Sequence, residues 1–437
     1  MLGLAETTAT LIENARWIDP TQGINRVGRI LIHYGAIAAI DPNDGDLPSE
    51  LQRIDASGWI GAPGLIDLGA ELGEPGREED ETIAAGTMAA LAGGYTSIAC
   101  TANTEPPIDT AAAVEFVRQK AMRSDRCRVH VIGCVSKHRQ GKELAEIGSL
   151  VDAGAVAFSD APGPIENTAL LRRALEYCSM FDRPVFDHPE VKSLAEGGIM
   201  HEGLVQLVLG LAPIPAEAED LATSRDLRLV ESTGGRLHLT NISTSGSVDL
   251  MRRAKERGLK TTCGITPANF CLTDAALRSF DSNLKLQPPL RSEDHKEACI
   301  KGLQDGTIDA ITSGHRPCAL EKKMQELDLA PFGASTLETT LASVITYLIR
   351  PGILNWTQAI EKLSSAPARI LGVEGGSLQI GKPADVVLID PDHRWVVQPK
   401  GMLSRSKNNY FTGTELFGCA RMVWVGGVRK YIAPIQN

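Results

Sequence analysis

Hydrophobic and polar positions along the chain fall into two textures. In residues 11–60 the apolar runs are short and β-like: 11–14, 28–32, a turn near Gly35, then 37–40 ahead of a loop rich in Asp, Pro and Gly. This pattern predicts a small antiparallel sheet. Residues 377–380, 384–389 and 421–425 repeat it near the other end, so both ends are expected to share one β domain. Between them, short apolar runs alternate with longer stretches of 3.6-residue period, the signature of βα units feeding a parallel sheet. Strands are predicted at 65–68, 95–100, 128–133, 155–158, 184–187, 237–242, 260–265 and 309–313. Helices are predicted at 81–91, 110–123, 168–181 and 247–257, with Gly93-Gly94 and Gly258 closing the first and last. Eight such units describe an α/β fold, a (β/α)8 TIM barrel, whose sites gather at the C-terminal ends of the strands. The expected domains are 1–60 and 375–437, two parts of a small β-sandwich, around a barrel at 61–374.

Composition narrows the partners. The 437 residues exceed what one hydrophobic core organises, and 43% apolar with 22% charged residues is ordinary globular usage. Lys and Arg number 44 against 54 Asp and Glu, a net charge of −10 without any basic block, which excludes nucleic acid and anionic membrane as partners. No apolar run approaches the ~18 residues of a spanning helix, and Glu6 in an N-terminal stretch without a basic region speaks against a signal peptide. A cytoplasmic location is expected. Nine scattered Cys without a Cys-x-x-Cys suit reduced thiols and give no thiolate zinc site. Residues 376–382 open like a phosphate-binding loop, but Pro383 replaces the Ser or Thr that would hold Mg²⁺, so they are read as a hairpin turn.

The candidate chemistry lies just after the predicted strands. Pro63-Gly64-Leu65-Ile66-Asp67, Glu74-Pro75-Gly76, Gly93-Gly94-Tyr95-Thr96 with Asn103-Thr104, Asp187-His188, His238-Leu239-Thr240-Asn241 and Pro288-Pro289-Leu290-Arg291 occur in this order. Together with Ala330-Pro331-Phe332-Gly333, they resemble the bacterial dihydroorotases, over residues 11–431. The resemblance implies an amidohydrolase-type barrel that opens or closes a dihydropyrimidine ring with a binuclear zinc site, whose metals activate a bridging water. Carried over position by position, the family's His-x-His becomes Gly69-Ala70-Glu71, its bridging carboxylate Ala161, its strand-six His Asn241, and its strand-eight Asp Gly314. His188 alone keeps its donor. Zinc binds N, O or S ligands, and Gly and Ala side chains offer none. In the substrate pocket, the carboxylate-clamping Arg becomes Gly73, Asn103 persists, the Asn before Pro-Pro-Leu-Arg becomes Gln287, and a His becomes Cys318.

These departures imply, through the resemblance, a noncatalytic dihydroorotase-like subunit of pyrimidine biosynthesis. Such a pseudoenzyme has no catalytic residue and no cofactor, its binuclear zinc lost, over a vestigial pocket. Chains of this kind accompany bacterial aspartate carbamoyltransferase, so the expected partner is that enzyme's catalytic chain, in a homo- and hetero-oligomer. Two alternatives stay open: an amidohydrolase with a remodelled metal site acting on another cyclic amide, and a small-ligand sensor using the old pocket. Glu71 with His188 is the one pair able to support a weak mononuclear site. His238 and His315 are read as core groups, Asp160 as a structural carboxylate facing away from the pocket, and Cys318 as a buried inert thiol.

Overall fold

The computed structural model describes residues 9–434. The N-terminal reading that rested on Glu6 lies outside them. The described residues open with β1 (Ala9–Asp19), β2 (Ile24–His33), β3 (Ala36–Ile40), β4 (Leu51–Asp55) and β5 (Ile60–Pro63). The barrel strands follow: β6 (Leu65–Ala70), β7 (Tyr95–Cys100), β8 (Arg128–Gly133), β9 (Ala155–Ser159) and β10 (Val185–Asp187). A short pair, β11 (Met200–His201) and β12 (Pro213–Ile214), interrupts the series before β13 (Leu237–Leu239), β14 (Thr261–Ile265) and β15 (Ala310–Ile311). The last strands are β16 (Val386–Val396), β17 (Glu415–Val425) and β18 (Val428–Ile432).

Both ends of the chain contribute to one sheet, ordered β18-β17-β16-β5-β1-β2-β3, with β4 also on β1. Most of its pairs are antiparallel, and β4 and β5 run parallel to β1. Alternation along β16 shows how this sheet is stabilised on two sides. Val386 and Leu388 pack with Trp17, Ile30 and Trp424 in the sheet's own core, while Val387 and Ile389 join the barrel's outer core. Residues 377–380 form no strand and lead into the turn read over 376–382, where Lys382 N–H donates to Gln379 O at 3.1 Å. The buried Asp19 carboxylate accepts from the Leu378 N–H at 2.7 Å and from Ser377, so a side chain supplies the partner that a ladder would have given.

Each of the eight predicted barrel strands appears, in the order β15-β14-β13-β10-β9-β8-β7-β6, every neighbouring pair parallel. Ile66, Leu68, Ala99, Ile132, Ala157 and Phe186 point inward, while Leu65, Ile98, Val131, Phe158 and Val185 point out against the helices. The seam between the first and last strands is closed by side chain and loop. The buried Asp67 carboxylate accepts from Ser313 N–H at 2.6 Å and Ser313 Oγ at 2.8 Å, and Glu71 N–H donates to His315 O at 2.9 Å. Burial pushes the Asp67 carboxyl up, which the Ser313 hydrogen bonds partly offset. Among the described residues no helix is long and apolar enough to cross a membrane.

Candidate functional site

All six carried-over positions, Gly69, Glu71, Ala161, His188, Asn241 and Gly314, line one cavity of about 100 Å³ at the C-terminal ends of the barrel strands. Fold topology therefore gathers residues separated by more than two hundred positions, as a barrel of this kind requires. Their chemistry differs from place to place. Asn241 Oδ1 accepts from Thr312 Oγ1 at 2.9 Å. Gly314 has φ +64°, and a Cβ there would lie 2.6 Å from Thr266 Cγ2. Glu71 is held between two guanidiniums, Arg77 Nη2 at 3.0 Å and Arg316 Nε at 3.3 Å. Burial alone would push its carboxyl up, but Arg316 and Arg77 outweigh that and hold it below the ordinary range.

Of the four expected pocket residues, only Gln287 lines the cavity; its amide donates to both Glu190 oxygens at 3.1 Å. Gly73 sits in a tight turn, φ +66°, where a Cβ would lie 2.5 Å from Glu81 O and 2.6 Å from Arg77 O. Asn103 is buried and accepts from Thr101 Oγ1 at 2.8 Å. Cys318 is buried beside the backbone oxygens of Arg316 and Phe332, and burial pushes its thiol up. Such a thiol carries little thiolate.

Three histidines border the cavity, and each has an Nε2 without a hydrogen-bond partner. His315 accepts at Nδ1 from Thr336 N–H at 3.1 Å and turns Nε2 toward Glu81, 3.6 Å away. His238 Nδ1 meets Thr262 Oγ1 at 2.9 Å, its ring lies against Phe186, and burial pushes it down to about 3. Both belong to the barrel wall, as their positions in the sequence suggest. His188 has a like arrangement, its Nε2 3.7 Å from Glu190 Oε2, but it and Glu190 keep some solvent exposure, whereas His315, Glu81 and His238 are closed off. Burial would raise the Glu190 carboxyl, but His188 and Gln287 hold it below the ordinary range. Asp160 faces away from the cavity, accepting from the Val135 and Ser136 N–H groups at 3.0 and 3.1 Å.

Sequence reasoning did not single out Arg77, Glu190 or Arg316. A signal existed for Arg316, a charged residue inside Ser313-Gly314-His315-Arg316-Pro317-Cys318, where the resembling family has Ala. Glu190 gave none beyond standing two residues after His188. The resulting polar chain runs around the cavity from Arg77 through Glu71, Arg316, Gln287 and Glu190 to His188.

A family described as Dihydro-orotase-like matches residues 58–247. A Rhodopirellula baltica relative is 51% identical over 428 residues, 98% of this chain and 94% of its own. A chain named Dihydroorotase from Syntrophus aciditrophicus is 42% identical, covering 95% of this chain and 98% of its own. Another of that name, from Pelotomaculum thermopropionicum, is 43% identical over 95% of this chain and 97% of its own. Among solved structures, the L-hydantoinase (dihydropyrimidinase) from Arthrobacter aurescens superposes with a TM-score of 0.86 at 24% identity, covering 96% of this chain and 95% of that one. The shared fold is thereby shown.

Two expectations are corrected by these relatives. The chain was expected to be no enzyme; relatives named Dihydroorotase over nearly its whole length point instead to an active hydrolase. The expectation of no cofactor, with the binuclear zinc lost, rested on the changed donors at Gly69, Ala161, Asn241 and Gly314, and the same relatives overturn it. The physical reason for both errors is one inference, that a changed donor at a familiar position means lost chemistry, when the cavity has been rebuilt with other charged groups. The donors in place nevertheless do not fit the paired arrangement. Glu71 is occupied by two guanidiniums, and among the described residues no three His, Cys, Asp or Glu side chains cluster to hold an ion. We therefore derive no step through a metal pair.

Proposed function

We propose, since the chain belongs to the dihydroorotase-like family, that it hydrolyses or closes a cyclic amide in a remodelled amidohydrolase site. The observation that carries this reading is His188, whose unpartnered Nε2 borders the cavity with the Glu190 carboxylate 3.7 Å away and Gln287 holding that carboxylate in place. An imidazole beside an ionised carboxylate accepts a proton and is stabilised when charged, the requirement for acid–base work at neutral pH. His188 would take a proton from the water that adds to the ring carbonyl and return it to the departing amide nitrogen. Glu190 balances the imidazolium charge between the two transfers. The wall of Leu68, Ile132, Phe186 and Leu286 gives the flat ring an apolar seat.

The deciding experiment measures ring opening and closure with dihydroorotate, dihydrouracil and hydantoin, using protein whose metal content has been determined. At least one should turn over above background. His188→Ala should then lower kcat/KM by roughly 100-fold or more, the usual scale of a lost acid–base group. No turnover of any of the three would sink the proposal.

We propose as a second reading that the chain also assembles with the catalytic chain of aspartate carbamoyltransferase, which an active site does not preclude. In its favour is the helix Leu204–Leu209, where Leu204, Leu207 and Val208 share one face and are 83, 71 and 71% exposed. Large apolar side chains together on a surface are what association covers. Co-expression followed by size measurement should show a joint species that Leu207→Asp splits. Separate elution of the two unmodified proteins would contradict it.

A further inference from the structure

A second cavity, of about 400 Å³, opens where the two-ended sheet meets the outer helices of the barrel, and its size suits a small molecule. It shares no lining residue with the cavity at the strand ends. One indole comes from each side of the junction: Trp59, just ahead of β5, packs on the sheet's core, and Trp356, opening the helix Trp356–Ile360, packs on the barrel's. Trp17 and Trp395 give their indole N–H groups to Gly28 O and Gly418 O, whereas those of Trp59 and Trp356 have no protein partner among the described residues. Two guanidiniums border the same space. Arg16 donates from Nε to Asn25 Oδ1 at 2.9 Å, and its Nη1 and Nη2 have no partner among the described residues. Arg350 lies with Cζ 3.9 Å from the centre of the Phe417 ring and gives Nη1 to Asp392 at 3.3 Å, which leaves Nη2. Asp392 is the only carboxylate lining this cavity among the described residues, and its side chain is 84% exposed.

Two backbone irregularities converge on this space. In β1 one extra residue stands between Ile12 and Ala15 relative to β2, and Asn14 takes φ +64° there, a left-handed conformation uncommon for a residue with a Cβ. On the barrel side, the helix Leu337–Val344 widens over Ile345–Ile349, where Arg350 N–H donates to Ile345 O, five residues back, at 2.9 Å. The inserted residue turns Arg350 by about 100° around the axis from where a regular helix would carry it. Asn14, Ile345, Ile349 and Arg350 all line the cavity. Bulges and widened turns each interrupt a hydrogen-bond ladder, and both recur where a side chain is re-aimed at a site. Asn25, which accepts from Arg16, also donates to Thr357 Oγ1 at 3.2 Å and so ties the two walls together.

We propose that this junction cavity binds a small planar ring carrying an anionic group, a carboxylate or a phosphate, with the ring against an indole and the anion received by Arg16 and Arg350. Two indole N–H groups and two partly used guanidiniums make the space rich in donors, and its one carboxylate already accepts from Arg350. A ligand without acceptors would leave those donors unmatched. A guanidinium edge of parallel N–H groups fits either anion, and an indole face suits a flat ring. Phe417 against Arg350 and Asn25 beside Arg16 hold both guanidiniums before a ligand arrives, so less order is lost on binding. The site is separate from the hydrolase reading and stands whether or not the chain turns over a cyclic amide.

The test uses matched rings, AMP against adenosine and nicotinate against nicotinamide, titrated into the full chain by calorimetry. In at least one pair the anion should bind at least ten-fold more tightly than its neutral counterpart, and which pair does so tells phosphate from carboxylate. Arg16 and Arg350 are both exposed, so replacing them leaves the core intact. Arg16→Gln combined with Arg350→Gln should erase the preference. Trp59→Ala or Trp356→Ala should weaken both members of the pair alike, by roughly five-fold or more, through the lost ring face. No preference in either pair, a preference that survives the double arginine substitution, or affinities that neither tryptophan substitution changes would overturn the proposal. So would a preference that Arg316→Gln abolishes, because the ring would then sit in the cavity at the strand ends.

Discussion

Gly314 shows how one residue's backbone governs what its position can hold. Its φ of +64° and the Thr266 methyl group 2.6 Å from any Cβ leave room for hydrogen alone. Replacing it by Ala should cost about 1–3 kcal/mol, from left-handed backbone strain plus the displaced Thr266 side chain. Urea unfolding measures this directly. Gly314→Asp meets the same contact, so restoring the family's carboxylate here requires the neighbouring loop to move. His188 is the contrasting case, keeping the family's residue type while taking Glu190 as its neighbour.

At the scale of elements, the barrel owes its closure to Asp67 and Ser313. β15 comprises only two residues, Ala310 and Ile311, and no backbone ladder joins it to β6. The Asp67 carboxylate instead satisfies the Ser313 N–H and hydroxyl across the gap. Asp67→Ala removes both acceptors and leaves a buried donor unpaired, at a cost of about 1–3 kcal/mol. Hydrogen exchange should then accelerate at Ser313 and neighbouring amides and leave β8 and β9 protected. Uniform acceleration through the barrel would show that the seam has no local role.

Over the whole molecule, buried histidines set an acid limit. Burial pushes His238 down to about 3 and His201 to about 4, so both are neutral in the fold. In the unfolded chain each takes a proton near pH 6.5, and the unfolded state therefore binds more protons between that pH and the folded values. Stability contributed by keeping them neutral is complete above about pH 6.5 and falls as the pH drops, by up to about 1.4 kcal/mol per unit for each group. His238→Gln, which cannot titrate, should reduce the slope of unfolding free energy between pH 6.5 and 4.5 by about that amount. An unchanged slope would mean that His238 is already protonated in the fold.

Period-two and 3.6-residue patterns determined the eight barrel strands and the two-ended sheet, because alternation is imposed by which face of each element meets the core. Spacing and motif order likewise brought the six positions around one cavity, since strand ends in a barrel converge whatever side chains they carry. The anchoring of residues 377–380 and the chemistry of the cavity depended on contacts between distant residues. Asp19 reaches Leu378 across 359 positions, and Glu71, just after the first barrel strand, is held by Arg316, just after the last. A one-dimensional pattern records what each residue is; whether a carboxylate is free or already paired is set by what the fold places within about 4 Å of it.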